Sequence, residues 1–403
     1  MAQLKVLSET AATYLALEDS FGSTPGTMYR AFPVKGTLDM SLEQAEVENE
    51  DESIYLFDTK DPVRGMKDGS VKAEFYLKPY ATQLSSSVAP TNNYLQQLLK
   101  AVFGGHQVHS GSAVSLGTSG TSVNVDHPSR FSIGQWALFA TTNGLEPARI
   151  TNIATNTLTL SPALSSTPAS ASVVINMDNY YPTESNVNSL TVQHAKAGDS
   201  SLQYLLNGCV GGIELKLERN QIAAVTADLK VATWSTGSLG YSTAVGTEVL
   251  ASPIVVKDAV VLVQATTATT RTSYPLKSLA CKMTFENNFL EELGGTEGKT
   301  GAMRMGARGF AEATLKFKVD TAAEGYWSNQ TKLQIVAMVP VGSSTSKRWL
   351  VLDIPTAVPV GRPKLVNDGG VYYIEMMVRS KLSTVNASSS TELSRAPAVL
   401  ALG

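Results

Sequence analysis

The sequence predicts an all-β protein with short helices, built from two tandem copies of one β-domain and a small β-domain inserted into the first. Three observations carry this expectation. Most segments alternate apolar and polar residues with period two, the pattern of strands that bury one face. Four blocks of the first half recur in the same order in the second. A segment rich in Ser, Thr, Gly and Ala, residues 106–185, interrupts the first copy and has no counterpart in the second.

The repeat begins with FPVKGTLDMSLE (32–43), answered by YPLKSLACKMTFE (274–286). Phe32 matches Tyr274, Pro33 matches Pro275, Val34 matches Leu276 and Lys35 matches Lys277. After a one-residue shift Met40 matches Met283, Leu42 matches Phe285 and Glu43 matches Glu286. RGMKDGSVKAEFYLKP (64–79) then aligns with RMGARGFAEATLKFKV (304–319), placing Gly69 on Gly309, Ala73 on Ala313 and Phe75 on Leu315. LTVQHAKAGDSSLQY (190–204) is echoed by LQIVAMVPVGSSTSKRW (333–349), and IAAVTADLKVA (222–232) by VYYIEMMVRS (371–380). Such self-similarity marks an internal duplication, which governs any reading of the fold.

Within each copy the order is strand, long loop, strand, short helix, then three or four strands. In IELKLERNQIAAVTADLKV, Ile213, Leu215 and Leu217 point one way and Glu214, Lys216 and Glu218 the other, with Arg219-Asn220-Gln221 as the turn. NNYLQQLLKAVFGG has helical spacing at Tyr94, Leu95, Leu98, Leu99 and Val102, and Gly104-Gly105 as its stop. TAAEGYWSNQ (321–330) is the helix expected at the equivalent place in the second copy. The insert has its own strands, TSVNV, WALFA, ARITNIA, NTLTLS and ASVVIN, with a hairpin signal at Asn143-Gly144. Its expected core includes Val123, Val125, Trp136, Leu138, Ile150, Ile153, Leu158, Leu160, Val173 and Ile175, and it reads as an outward-facing addition. The domains are therefore 1–105 with 186–234, the insert at 106–185, a linker at 235–252, the second copy at 253–385 and a C-terminal tail at 386–403.

Composition bounds the function. The 403 residues are 43% hydrophobic and 17% charged, which fits a folded globular chain rather than a disordered one. A formal net charge of -3 argues against a generic cationic nucleic-acid binder. No apolar run approaches the roughly 20 residues that cross a bilayer, and Glu9, Glu18 and Asp19 do not suit a signal peptide. Cys209 and Cys281 sit on apolar strands and read as buried structural thiols of a chain made in a reducing cytoplasm.

Signals for catalysis fail on inspection. GGTEGKTG (294–301) lacks the phosphate-loop spacing, because the fifth residue before Gly298 is Leu293 rather than glycine. His106 and His109 have no nearby cysteine or acid to complete a metal site. No Gly-x-Ser-x-Gly elbow is present. The sequence thus points to no enzyme, metal or cofactor.

The long loops are more informative. LEQAEVENEDESIYLFDTKDPVRG (42–65) joins two strands that a short turn could connect. Its charged residues, Glu43, Glu46, Glu48, Glu50, Asp51, Glu52, Asp58, Lys60, Asp61 and Arg64, are candidates for contacts with another subunit, between stacked rings. Glu291, Glu292, Glu297, Lys299 and Arg304 are the candidates on the glycine-rich loop of the second copy.

These residues resemble a known family. The strand, arm, strand, helix, strand-pair order, the opening LALEDSFGSTPGTMYRAFPVKG and the segment NGCVGGIELKLERNQIAAVTADLKV are similar to tail tube proteins of long-tailed bacteriophages. The second copy departs from that pattern in lacking a Gly-Cys pair, and the insert lies outside the basic fold. The resemblance implies tandem tail-tube-type β-sandwich domains with a flanking helix, whose sheets join edge to edge in rings. A duplicated chain then implies a homotrimeric ring with pseudo-sixfold geometry, stacked into a tube through which DNA passes without specific binding; with no sign of a sheath partner in the sequence, the tail is read as non-contractile. It also implies tape measure, tail-tip and terminator proteins as partners, a place in the virion after synthesis in the host cytoplasm, and no membrane. A tail-tip or tail-completion ring of the same fold is the alternative, and a carbohydrate-binding β-module is a further one.

Overall fold

The computed structural model describes residues 12–34, 38–47, 63–78, 92–108, 111–183, 187–195, 203–237, 252–266, 273–291, 299–305, 310–318, 322–341, 347–383 and 391–403. Among these the chain is mostly strand, with three short α-helices. The first copy comprises β1 (Ala12–Leu17), β2 (Tyr29–Ala31), β3 (Asp39–Val47), β4 (Val63–Tyr76), α1 (Tyr94–Phe103) and β5 (Gly104–Gln107). The insert follows with β6 (Ser112–Ser119), β7 (Ser122–Val125), β8 (Trp136–Thr141), β9 (Gly144–Ala154), β10 (Thr157–Ser161) and β11 (Val173–Asn176). The first copy resumes with β12 (Asp178–Pro182), β13 (Leu190–Ala195), β14 (Gln203–Glu218), β15 (Ala224–Val231) and β16 (Thr233–Gly237). The second copy opens with β17 (Val260–Ala265), β18 (Leu276–Met283), β19 (Glu286–Glu291), β20 (Lys299–Met305), β21 (Ala311–Lys318) and α2 (Ala322–Ser328). It closes with β22 (Leu333–Val341), β23 (Arg348–Pro359), β24 (Lys364–Asp368), β25 (Val371–Ser380), α3 (Glu392–Arg395) and β26 (Val399–Leu402).

Strand pairing repeats along with the sequence. In the first copy the antiparallel neighbours run β1, β13, β14, β15, β4, β3. In the second they run β17, β22, β23, β25, β21, β18. Register agrees with the aligned blocks. Met40 faces Val71 across β3 and β4, as Met283 faces Ala311 across β18 and β21. Ala73 lies opposite Ala227, as Ala313 lies opposite Val378.

Period-two alternation sends one face of each strand inward. Phe75, Leu215, Val225, Cys281, Leu315 and Met376 are all buried in one core cluster that spans both copies. α1 closes the first copy. Its N-cap Asn93 accepts from the Gln96 amide at 2.9 Å, its C-cap Gly104 takes φ 84°, and nine of its ten residues are buried. In α2, at the equivalent place, only Ala323 is buried. β14 changes neighbours along its length, pairing with β13 and β16 in its first half and with β15 and β18 in its second. Gly208 stands at the change with φ 65°, where a Cβ would come within 2.6 Å of Ala232 and 2.9 Å of Phe21.

The insert is a closed barrel of order β10, β7, β6, β11, β8, β9. Its expected limits at 106 and 185 narrow, because β5 and β12 pair with each other and Tyr180 is buried in the main core. β8 explains how the barrel sits. Ala137 and Phe139 enter the barrel core, whereas Trp136 and Leu138 point the other way, into a cluster with Leu262, Val336, Trp349 and Val399 of the second copy. Trp136 and Leu138 are therefore removed from the insert's own core, as strand alternation requires. Arg149 of β9 meets Asp353 of β23 at 3.4 Å with both side chains fully buried, and Trp136 Nε1 donates to the same carboxylate at 3.1 Å. Trp349 Nε1 donates to the Leu145 carbonyl at 2.8 Å.

The expected C-terminal tail is corrected over residues 391–403. β26 inserts between β12 and β23, and all four of its residues are buried, because an apolar Val-Leu-Ala-Leu run gains more between two strands than in water. The expected linker begins with β16, which pairs with β14 through Gly237, while 238–251 lies outside the described residues.

Candidate assembly interface

The two copies are joined by strand pairing. The second half of β14 pairs antiparallel with β18, from Ile213 opposite Met283 to Glu218 opposite Ser278. On the inner face Ile213, Leu215 and Leu217 meet Leu279, Cys281 and Met283, and none of the six is more than 5% exposed. Burying side chains of this size contributes about 1.5–3 kcal/mol each. Gly212 makes this approach possible, and Gly211 does the same for β15 within the first copy. A Cβ on Gly211 would come within 2.1 Å of the Asp228 carbonyl, and one on Gly212 within 2.4 Å of Thr284.

The opposite face of this joined sheet carries charges that alternate in sign across the strands. One row runs Glu74, Thr226, Glu214, Lys282, Glu312, Arg379, crossing from the first copy to the second between Glu214 and Lys282. Another runs Asp39, Lys72, Asp228. Arg379 and Glu312 form an ion pair at 2.6 Å. At one end of the sheet Asp368 lies between Lys277 at 2.5 Å and Lys316 at 2.7 Å, and these hydrogen bonds hold its carboxyl down to about 2.

The hairpin β19–β20 extends this junction across the first copy. Lys299 Nζ donates to the Lys67 carbonyl at 2.8 Å and meets Asp68 at 3.3 Å. Phe289 packs edge-on against Phe21 with centroids 6.1 Å apart, and Lys230 Nζ donates to the Asn287 carbonyl at 3.1 Å. Arg304 lies over the Phe285 ring at 4.0 Å and donates to the last carbonyls of α1, Val102 at 3.1 Å and Phe103 at 3.3 Å, and to Thr183. Burial pushes its guanidinium down to about 10, so it stays charged at neutral pH, where a helix C-terminus favours a cation.

Of the residues singled out in the sequence, Lys299 and Arg304 are thus engaged within the chain, tying the second copy to the first. Glu43 and Glu46 are exposed on β3, and Glu291 is exposed at the end of β19. Arg64 lies on β4 opposite Glu46. Glu48, Glu50, Asp51, Glu52, Asp58, Lys60, Asp61, Glu292 and Glu297 lie outside the described residues. Sequence reading missed Glu214 and Lys282 as a pair across the copies, because a register between strands so far apart leaves no local signal.

The joined sheet ends in two strands with one described partner each. β3 pairs with β4, and β24 pairs with β25. No other described strand pairs with either, although Trp234 Nε1 reaches the Glu43 carbonyl at 3.3 Å. Clefts of about 320 and 290 Å³ open on the sheet, one lined by Arg219, Lys257, Asp258 and Lys277, the other by Lys72, Glu214, Asp228 and Lys282. These are charged rims on a strand surface. His106 pairs with the buried Asp178, which also accepts from Tyr180 at 2.6 Å and Gln96 at 3.3 Å, and His109 is outside the described residues. Among the described residues no group of three His, Cys, Asp or Glu gathers as a metal site, and no helix is long and apolar enough to cross a membrane.

In comparisons with known proteins, no family model matches the chain and no curated protein matches it.

Proposed function

We propose that the chain is a structural subunit of a phage tail tube, made of two tail-tube-type β-sandwich domains. Three copies close into a pseudo-sixfold ring, and the rings stack into a conduit for DNA. The observation that carries this reading is the pairing of β14 with β18. It joins two repeats of one domain head to tail and leaves, among the described residues, a strand with a single partner at each end of the sheet, β3 at one and β24 at the other. A head-to-tail junction that already operates once within the chain is a heterologous interface, which generates a closed ring when its rotation closes. Closure also removes both open edges, which otherwise invite uncontrolled pairing.

The charge rows support the same reading. A conduit wall should let a polyanion slide, and a wall rich in unpaired Lys and Arg would hold phosphates through counterion release. Here lysines alternate with carboxylates along the rows, within a chain of net charge -3. Tape measure, terminator and tail-tip proteins are the partners this role requires, with the virion as its place. A tail-tip ring of the same fold would stop after a few layers.

The test is negative-stain imaging and native mass measurement of the purified chain. Three-chain rings that polymerise into long tubes are expected. Isolated rings would favour the tail-tip role, and monomers at every concentration would remove the proposal.

A further inference from the structure

The two arms occupy equivalent places in the chain, each before an aligned strand block, yet only the second has a described seat. Alignment of Gly69 with Gly309 places Arg64 on Arg304. Arg304 sits on the last turn of α1, in the copy that lies next to its own across the β14–β18 junction. Arg304 thus reaches only the C-terminal end of α1, whose nine buried residues pack mainly against β1, β5 and β12 of the same copy. α2 has no such cover among the described residues. Tyr326 and Trp327 are only half-buried, and Ser328, Asn329 and Gln330 are exposed. Next to it Arg362 pairs with Glu324 at 3.0 Å, lies over the Trp327 ring at 5.9 Å and is itself 72% exposed in its side chain. On the adjoining β24–β25 hairpin Leu365, Val371 and Tyr372 are 63%, 52% and 56% exposed.

We propose that this face of the second copy is the seat for the β3–β4 segment of a second copy of this chain, with Arg64 of the incoming chain on the last turn of α2. The inference rests on the ring reading, since the neighbour that would bring Arg64 there is the one whose β3 edge joins β24. Two further observations favour this occupant. The residues Glu43 to Asp61 carry eight acidic side chains, and the proposed seat offers exposed Arg362 and Lys364. Leu365 stands on the open edge strand and Tyr372 on β25 beside it, apolar surface that the neighbour's segment would cover. The first arm thus locks chains side by side within a ring, as the second arm locks the copies within a chain.

The test uses two variants mixed before assembly, Met66→Cys in one chain and Ser328→Cys in the other. Both sites are exposed, Met66 stands two residues after Arg64 in β4, and the native Cys209 and Cys281 are fully buried. A short bismaleimide should produce a covalent two-chain species in the assembled fraction, and adding Arg64→Ala to the first chain should lower its yield several-fold. Rings that form normally yet give no such species would overturn this proposal and leave the ring reading standing. Failure of the unmodified chain to assemble would remove both. An equal yield with Arg64→Ala would show that the arm is near α2 but that Arg64 is not its anchor.

Discussion

Replacing Arg149 with leucine takes away half of the ion pair that fastens the barrel to the second copy. Both partners are fully buried, 3.4 Å apart, and the Asp353 carboxylate also accepts from Trp136 Nε1. Burial pushes the Arg149 guanidinium down from its ordinary value, and Asp353 opposes that shift, so the two charges depend on each other. Removing one partner of a buried pair leaves an uncompensated charge and costs about 3–5 kcal/mol. Replacing both by well-packed apolar groups is often neutral, so Arg149→Leu with Asp353→Leu should recover most of the loss. The orphaned Trp136 N–H sets a residual cost of about 1–3 kcal/mol. Trp136 and Trp349 both sit at this contact, so tryptophan emission during urea unfolding reports undocking directly. A double-mutant cycle in urea is the assay. A single-variant cost below about 1 kcal/mol, where exposed pairs fall, or a double variant no better than the single, would refute the claim that the charges compensate one another.

Other outcomes follow from the same structure. Asp368 is held at about 2, below its ordinary 3.8, so its contribution is full above about pH 4 and is lost as pH falls through 2. Asp368→Asn should flatten acid unfolding monitored over that window. Burial pushes Cys281 up to about 12 and Cys209 well above its ordinary 9, so both thiols stay protonated at pH 8. Neither should react with a thiol reagent until the chain unfolds, and the stability they lend should fall as pH rises above about 9. Leu400→Ala in β26 should cost about 2–5 kcal/mol as a fully packed position, where a true tail would cost nothing measurable in thermal unfolding. Gly212→Val should prevent the copies from joining, read as loss of soluble protein, because its Cβ would overlap Thr284.

How much of this was legible in the sequence depended on the range of the signal. Alternation within one strand is local, so Ile213, Leu215 and Leu217 were assigned to the core and Glu214, Lys216 and Glu218 to the other face, and burial follows that division. The helix at Tyr94–Phe103 was readable from its spacing and its Gly104 stop. The repeat was readable because a duplication copies the same local pattern, and the two pairing orders follow it. What stayed hidden was every choice made between distant strands. β8 is apolar on both faces, so alternation alone could not say that Trp136 and Leu138 leave the barrel for a second surface. The final Val-Leu-Ala-Leu looked like a tail because its partners, β12 and β23, lie far away in the chain.

The arms show the same limit in the residues that matter most for assembly. Lys299 and Arg304 were picked out as charges on a long loop, and a charge on a loop is ordinarily solvated. In the structure Lys299 is buried against Lys67 and Asp68, and Arg304 serves as the cation at a helix C-terminus. Their value comes from the β14–β18 junction, which carries the hairpin across to the neighbouring copy. A residue equivalent in sequence, Arg64, has the same chemistry, but its target cannot lie in its own copy if the geometry repeats. Duplication therefore converts one observed contact into an expectation about the next chain: whatever the second arm does inside the protein, the first arm is left to do between proteins. The difference in helix burial has its own source within each copy: α1 packs against β1, β5 and β12, whereas among the described elements α2 packs on β23.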